Sequence, residues 1–190
     1  MAVKSSPLIP EELKKLLATA ESPQLGPGPR PAVLPLKELN RQLNEALARC
    51  GLPEVVHEPI RAVVLLWHDH LDASHRISQD LPGPDGSYLH GIMHRREPDY
   101  GNAKYWFQRV GRHVCFPELA KRAAALLEAK AQTKLSRDLI VDGAWAPFAF
   151  VDACEQALQR SESDPEAQLL RQLQSVVLEL LLEHFCQSKD

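Results

Sequence analysis

The 190-residue sequence contains no Cys-x-x-Cys pair. Its four cysteines, Cys50, Cys115, Cys154 and Cys186, lie far apart. That spacing excludes a paired-thiolate metal site and suggests reduced thiols packed as small apolar residues. Charge of one sign is also lacking: 22 Lys and Arg stand against 25 Asp and Glu, for a formal net charge of −3. A general nucleic-acid binder would carry a basic excess, so that class is excluded. No apolar run approaches the ~20 residues of a membrane span, and AVVLLW stops at His68 and Asp69. The segment MAVKSSPLIPEELKK lacks the apolar stretch of a signal peptide, so a cytoplasmic location is expected. Glycine-rich phosphate loops are missing: LPGPDG holds two prolines and no Lys-Ser/Thr ending, which excludes a P-loop mechanism. No alternating strand pattern and no internal repeat is visible either.

What is present is helical periodicity. Hydrophobic residues make up 44% of the chain and charged residues 25%, enough apolar material for a core without metals or disulfides. Residues 10–22 begin with proline followed by acidic residues, a helix start. PQLGPGPRPAVLP cannot sustain a helix or a central strand, so residues 23–35 read as an extended connector. From Leu36 the pattern is helical nearly throughout. Leu36, Leu39, Leu43 and Leu47 share a face, and Gly51 supplies a stop. Ile60, Val63, Val64, Trp67 and Leu71 form a core stripe on a helix over 57–80. A third helix over 86–97 would be capped by Asp85, and a fourth over 99–110 by Asp99. Further helices follow from Pro117, from about Pro147 and from Pro165. The last ends in the apolar LELLLEHF, which must be buried or meet a partner. The expectation is an all-α protein: one compact domain of six or seven helices, with residues 1–35 as a short helix and connector and 36–190 as the helical body.

The chemistry gathers in the two central helices. On the first, His68, Asp72 and His75 stand at i, i+4 and i+7, in a row beside the core stripe. On the second, His90, His94 and Glu97 repeat that spacing. An antiparallel hairpin through LPGPDG would turn the two rows toward each other. Imidazoles and carboxylates are the usual ligands of zinc, iron and manganese, and bundle proteins build metal sites from such inward-facing rows. A divalent ion there would lower the pKa of a bound water, and Asp69 or Asp99 would take its proton. Arg95, Arg96, Lys104 and Arg109 would hold a small anionic, phosphorylated substrate. Of the consecutive Tyr105, Trp106 and Phe107, at least one must leave the core, and Tyr105 and Trp106 are candidates to stack on a planar ligand. Asn102 and Lys104 are expected in the same polar space as His94.

Each feature has a plainer reading: histidines hydrogen-bonded at the core edge, arginines paired with Glu97 and Asp99, aromatics wedged between layers. The alternatives are therefore a metal-dependent hydrolase, or a non-catalytic helical module binding an anionic ligand or protein partner through arginines and aromatics. A third reading is homodimerisation through the C-terminal helix.

Two resemblances bear on the choice. LLWHDHLDASH is similar to the HD phosphohydrolases, all-α metal enzymes in which a His-Asp pair ends an apolar helix and binds the ion. By that resemblance His68 and Asp69 would be ligands, although the glycine that follows the pair in the family is absent here. HGIMHRREPDYGNAKYWFQRVG resembles a signature of an uncharacterised group of bacterial and fungal proteins. That resemblance implies that the block is one functional unit, and it supplies no reaction.

Overall fold

The computed structural model describes residues 9–161 and 163–187; the first eight residues of the expected N-terminal segment lie outside them. Among the described residues the fold is mainly α-helical, with ten α-helices and one two-stranded hairpin. Nine of them follow the connector, more than the six or seven expected there, because the helix expected over 57–80 is broken in two and the short α8 was not expected.

Helix α1 (Glu11–Leu17) starts after Pro10, carries Glu11 and Glu12 in its first turn and buries Leu13 and Leu16. Acidic residues there complement the positive end of the helix dipole. The connector that follows has no regular structure, yet it is no loose tether. Leu25 and Arg30 are buried, and Ile9, Leu13, Leu16 and Leu25 belong to the same core as the rest of the chain. The expected division at residue 35 is thus not a division of the core.

Helix α2 (Leu36–Cys50) buries Leu39, Leu43 and Leu47 and ends at Gly51, whose φ of 62° supplies the left-handed cap. The helix expected over 57–80 is two: α3 (His57–Trp67) and α4 (Leu71–Ser78). The break falls at Asp69, which has a φ of 61°. Nothing in the periodicity marks it. A left-handed aspartate costs local energy, and the Asp69 carboxylate repays it through long-range partners: the guanidiniums of Arg30 and Arg96 and the amides of Gln24 and Arg30. The stripe of Ile60, Val63, Val64, Trp67 and Leu71 is buried as expected.

Helix α5 (Gly83–Arg96) begins earlier than expected, so Asp85 lies inside its first turn instead of capping it. Every residue from Gly86 to Arg96 is buried, because α3, α4, α6 and α9 all pack against this helix. Helix α6 (Tyr100–Val110) is capped as expected: Asp99 accepts a hydrogen bond from the Asn102 amide at 3.2 Å. Then come α7 (Phe116–Ala129) and α8 (Thr133–Leu139). Strands β1 (Ile140–Val141) and β2 (Ala144–Trp145) pair antiparallel, Ile140 opposite Trp145. Asp142 and Gly143, at φ 52° and 76°, form the Asp-Gly turn that suits a two-residue hairpin. Helix α9 (Pro147–Ala157) begins where expected.

Helix α10 (Pro165–Gln187) closes the structure against α3, α7 and α9. Its apolar end is covered by the chain itself: Leu178, Leu180, Leu181, Leu182 and Phe185 are all buried. Burial within the chain was one of the two outcomes expected for this apolar end. No helix among the described residues is long and apolar enough to cross a membrane.

Candidate metal centre

The short turn after α4 folds α5 back, and one part of each histidine row meets the other. His75 on α4 stands edge-on to His90 and His94 on α5, with ring centroids 4.7 and 5.3 Å apart. Being one helical turn apart, His90 and His94 stack at 4.7 Å with their planes 13° apart. Trp106 of α6 covers the other face of the stack, 4.0 Å from His90. One ring nitrogen from each of His75, His90 and His94 can be chosen so that all lie within 4.8 Å of one another. Tetrahedral zinc with bonds near 2.0–2.1 Å needs its nitrogens about 3.4 Å apart. The rings must therefore close by roughly an ångström to share an ion. The parallel stack must also open, since parallel imidazoles direct their in-plane lone pairs along separate lines.

Burial favours the neutral form of His90 and His94. It pulls His90 down to about 4, with His94 and His75 adding to the effect, and it lowers His94, helped by His75. Neutral imidazole is the form that binds metal. The edge of the cluster is acidic. Glu97 and Asp99 place carboxylate oxygens 3.6 and 3.9 Å from His94 Nδ1. Carboxylates facing Nδ1 favour a proton there, so Nε2 is the nitrogen with a lone pair, and an ion at Nε2 would have to displace the Asn102 amide. Burial raises the Glu97 carboxyl above its ordinary range, and the nearby charges of Asp72 and Asp99 add to the rise. Asn102 sits beside His94, its amide nitrogen 3.1 Å from Nε2. Two surface depressions touch these residues. One is lined by Asp72, Arg76, Glu97 and the connector at Pro27–Pro29, the other by Trp106, Arg109 and the turn at Leu81–Pro84.

The strongest local sign of a ligand is His90 Nδ1. It is buried and has no hydrogen-bond partner, an arrangement that costs about 1–3 kcal/mol unless something satisfies it. Among the described residues, the three other buried side-chain atoms without partners are Nε atoms of Arg95, Arg96 and Arg171, whose terminal nitrogens are engaged.

A second group, Asp85, His113 and His184, also falls within ligand distances, and it was not anticipated. Asp85 Oδ1 accepts from Nε2 of His113 at 2.9 Å and of His184 at 3.1 Å. His113 Nδ1 accepts the Cys115 amide at 3.2 Å, so its proton sits on Nε2, where an ion would need a lone pair. This group is a hydrogen-bonded clasp joining α10 and the loop after α6 to the start of α5. No local pattern announces it, because its members are separated by 28 and 71 residues (113 − 85 and 184 − 113).

The other expected site residues fall elsewhere. His68 is buried with Nδ1 accepting the Leu34 amide and Nε2 donating to the Leu16 carbonyl, so both nitrogens are used and it cannot join His90 and His94. Asp69 is wholly buried between Arg30 and Arg96, which removes it as a proton acceptor for substrate chemistry. The His-Asp pair that resembles the HD phosphohydrolases therefore ties the N-terminal segment to the core. Arg95 donates to Gln174 at 2.6 Å and lies over the Phe150 ring, while Arg96 donates to Asp69 and the Leu66 carbonyl. Neither faces solvent. Lys104 pairs with Asp152 of α9 at 2.5 Å, on the far side of α6 from Asn102 and Trp106. Two residues along a helix lie ~200° apart, which separates Lys104 from the Asn102 row. Arg109 stands over Trp106 and Tyr105, and Tyr105 is exposed. Phe107 takes the core position.

Comparison of the chain with protein families, with curated proteins and with solved structures finds no match.

Proposed function

We propose that the protein is a metal-dependent hydrolase in which His75, His90 and His94 hold one divalent ion, zinc, iron or manganese. The observation that carries this reading is the buried, unpartnered Nδ1 of His90 inside a cluster of three imidazoles. Three protein ligands and an open position are the pattern of catalytic zinc sites. An ion held there would activate a bound water for attack on the substrate, and Glu97, 3.6 Å from His94 Nδ1, is placed to take that proton and pass it to the leaving group. Asp99 supports His94 and caps α6. The expected compartment is the cytoplasm, with which four free thiols are compatible.

The competing anion-binding reading has little left to draw on. Of its residues, Arg95, Arg96 and Lys104 are engaged elsewhere, and Arg109 with Tyr105 and Trp106 is what remains to it.

The test is elemental analysis of the protein purified without a histidine tag, beside His90→Ala and His94→Ala. Near-stoichiometric metal in the parent, lost in both variants while circular dichroism is unchanged, is the expected result. A metal-free parent after reconstitution with each of the three ions would refute the reading. Opening of the imidazole stack gives a second signal. Metal titration should change tryptophan fluorescence, and Trp106→Phe should remove that change while leaving Trp67 and Trp145 in place.

A further inference from the structure

We propose that the depression beside Trp106 and Arg109 binds a small carboxylic acid with a flat apolar body, an aryl carboxylate. No histidine lines it, so this inference stands apart from the metal reading. The sequence set four cations against an anion: Arg95, Arg96, Lys104 and Arg109. Three are spent within the protein, on Gln174, Asp69 and Asp152. Arg109 is not. It is exposed, and among the described residues it meets no carboxylate; its contacts are the Trp106 and Tyr105 rings, with centroids 5.5 and 5.8 Å from the guanidinium carbon. Both distances lie inside the ~6 Å reach of a cation–π contact. The rings steady the guanidinium and leave its N–H donors unused, and that fork of donors fits a carboxylate in bidentate fashion.

The depression has the size and the walls for the rest of such a ligand. It holds about 430 Å³, within the roughly 300–1,000 Å³ of small-molecule sites. Leu81, Pro82, Pro84 and the half-buried Trp106 give it apolar surface. The wall is stiff: both prolines fix their φ, and Gly83 between them takes the left-handed turn at φ 76°. Among the described residues Arg109 is the one charged group that lines it. The Asp85 carboxylate, next in the chain, is held by His113 and His184. A single cation matches a monoanion such as a carboxylate better than a phosphate dianion. The depression at Arg76 offers no such match, because Asp72 and Glu97 line it too.

The test is a proton–nitrogen NMR titration of the full chain near neutral pH, following the indole N–H signals of the three tryptophans, with Trp106→Phe assigning one of them. The probes are 2-naphthoate, its uncharged amide 2-naphthamide, and acetate. 2-Naphthoate is expected to shift the Trp106 signal saturably and to bind about fivefold more tightly than the amide, the effect of one partly exposed pair. Acetate at the same concentrations should leave the signal in place, because it brings almost no apolar surface. Arg109→Gln keeps a good helix former at an exposed position. It should make acid and amide equal, with unmoved Trp67 and Trp145 signals showing an intact fold. Equal binding of acid and amide in the parent, or a preference retained in Arg109→Gln, would overturn the proposal. So would a comparable response to acetate, or an unsaturable drift of all three signals. Binding is expected to persist with EDTA present; its loss would place the carboxylate on an ion and overturn the proposal while leaving the metal reading standing.

Discussion

Asp69→Ala is expected to destabilise the protein by about 3–5 kcal/mol, lowering the melting temperature by roughly 6–20 °C. Asp69 is the hub on which the N-terminal segment is fastened. Its carboxylate meets two guanidiniums, Arg30 and Arg96, and two backbone amides, all away from water. Arg30 extends the hub outward, donating to the Trp67 carbonyl, the Thr19 hydroxyl and the Glu21 carbonyl. Removing the carboxylate leaves two buried cations without compensation, which costs far more than losing an exposed pair. Lys104→Ala provides the contrast. Lys104 and Asp152 are 41% and 46% exposed, and its loss should cost less than about 1 kcal/mol.

The same hub sets an acid limit. Burial pushes the Asp69 carboxyl up, but the guanidiniums of Arg96 and Arg30 outweigh it and hold the folded-state pKa below the ordinary value. A depressed carboxyl contributes stability that is complete above the unfolded pKa, near 3.9, and is lost as pH falls toward the folded value. Urea unfolding of the parent should therefore weaken with falling pH below about 4, and Asp69→Ala should show a shallower dependence there. Equal slopes in the two proteins would show that the hub carries no pH-linked stability.

Gly86→Ala is the second large effect expected, at about 3 kcal/mol. A Cβ at Gly86 would stand 2.0 Å from the Leu81 carbonyl oxygen and 2.7 Å from its carbon. Those are backbone atoms of the α4–α5 turn, which cannot rotate aside as a side chain would. The start of α5 must move, and His90 lies one turn further along. Both the melting temperature and the metal content of Gly86→Ala should fall. Gly101→Ala is the control: nothing lies within 4 Å of the added carbon, and a helical alanine there should stabilise by about 0.4–1 kcal/mol. A Gly86→Ala protein as stable as the parent would mean that the turn is free to adjust.

Much of the fold was legible in the sequence because its causes are local. Leu39, Leu43 and Leu47 repeat at helical spacing, Gly51 and Asp99 stop and start helices by their own chemistry, and prolines 117, 147 and 165 mark helix beginnings within a residue or two. The hairpin at 140–145 was missed because two-residue strands are too short to show alternation, although Asp142-Gly143 was its turn signal. For the candidate site the histidine spacing was partly informative. The i, i+4 relation of His90 and His94 survives because α5 is continuous. The matching row of His68, Asp72 and His75 does not, because the helix breaks between His68 and Leu71, leaving only His75 facing α5.

The sequence by itself determined the all-α class, the helix faces that enter the core and the pairing of His90 with His94, all consequences of side chains within one or two turns of each other. Tertiary structure alone decided which charges are spent inside the protein. Arg30 lies 39 residues from Asp69, and Arg95 lies 79 residues from Gln174. A charged side chain is drawn from water only where a partner already waits, and those partners are supplied by distant segments that no local pattern brings together.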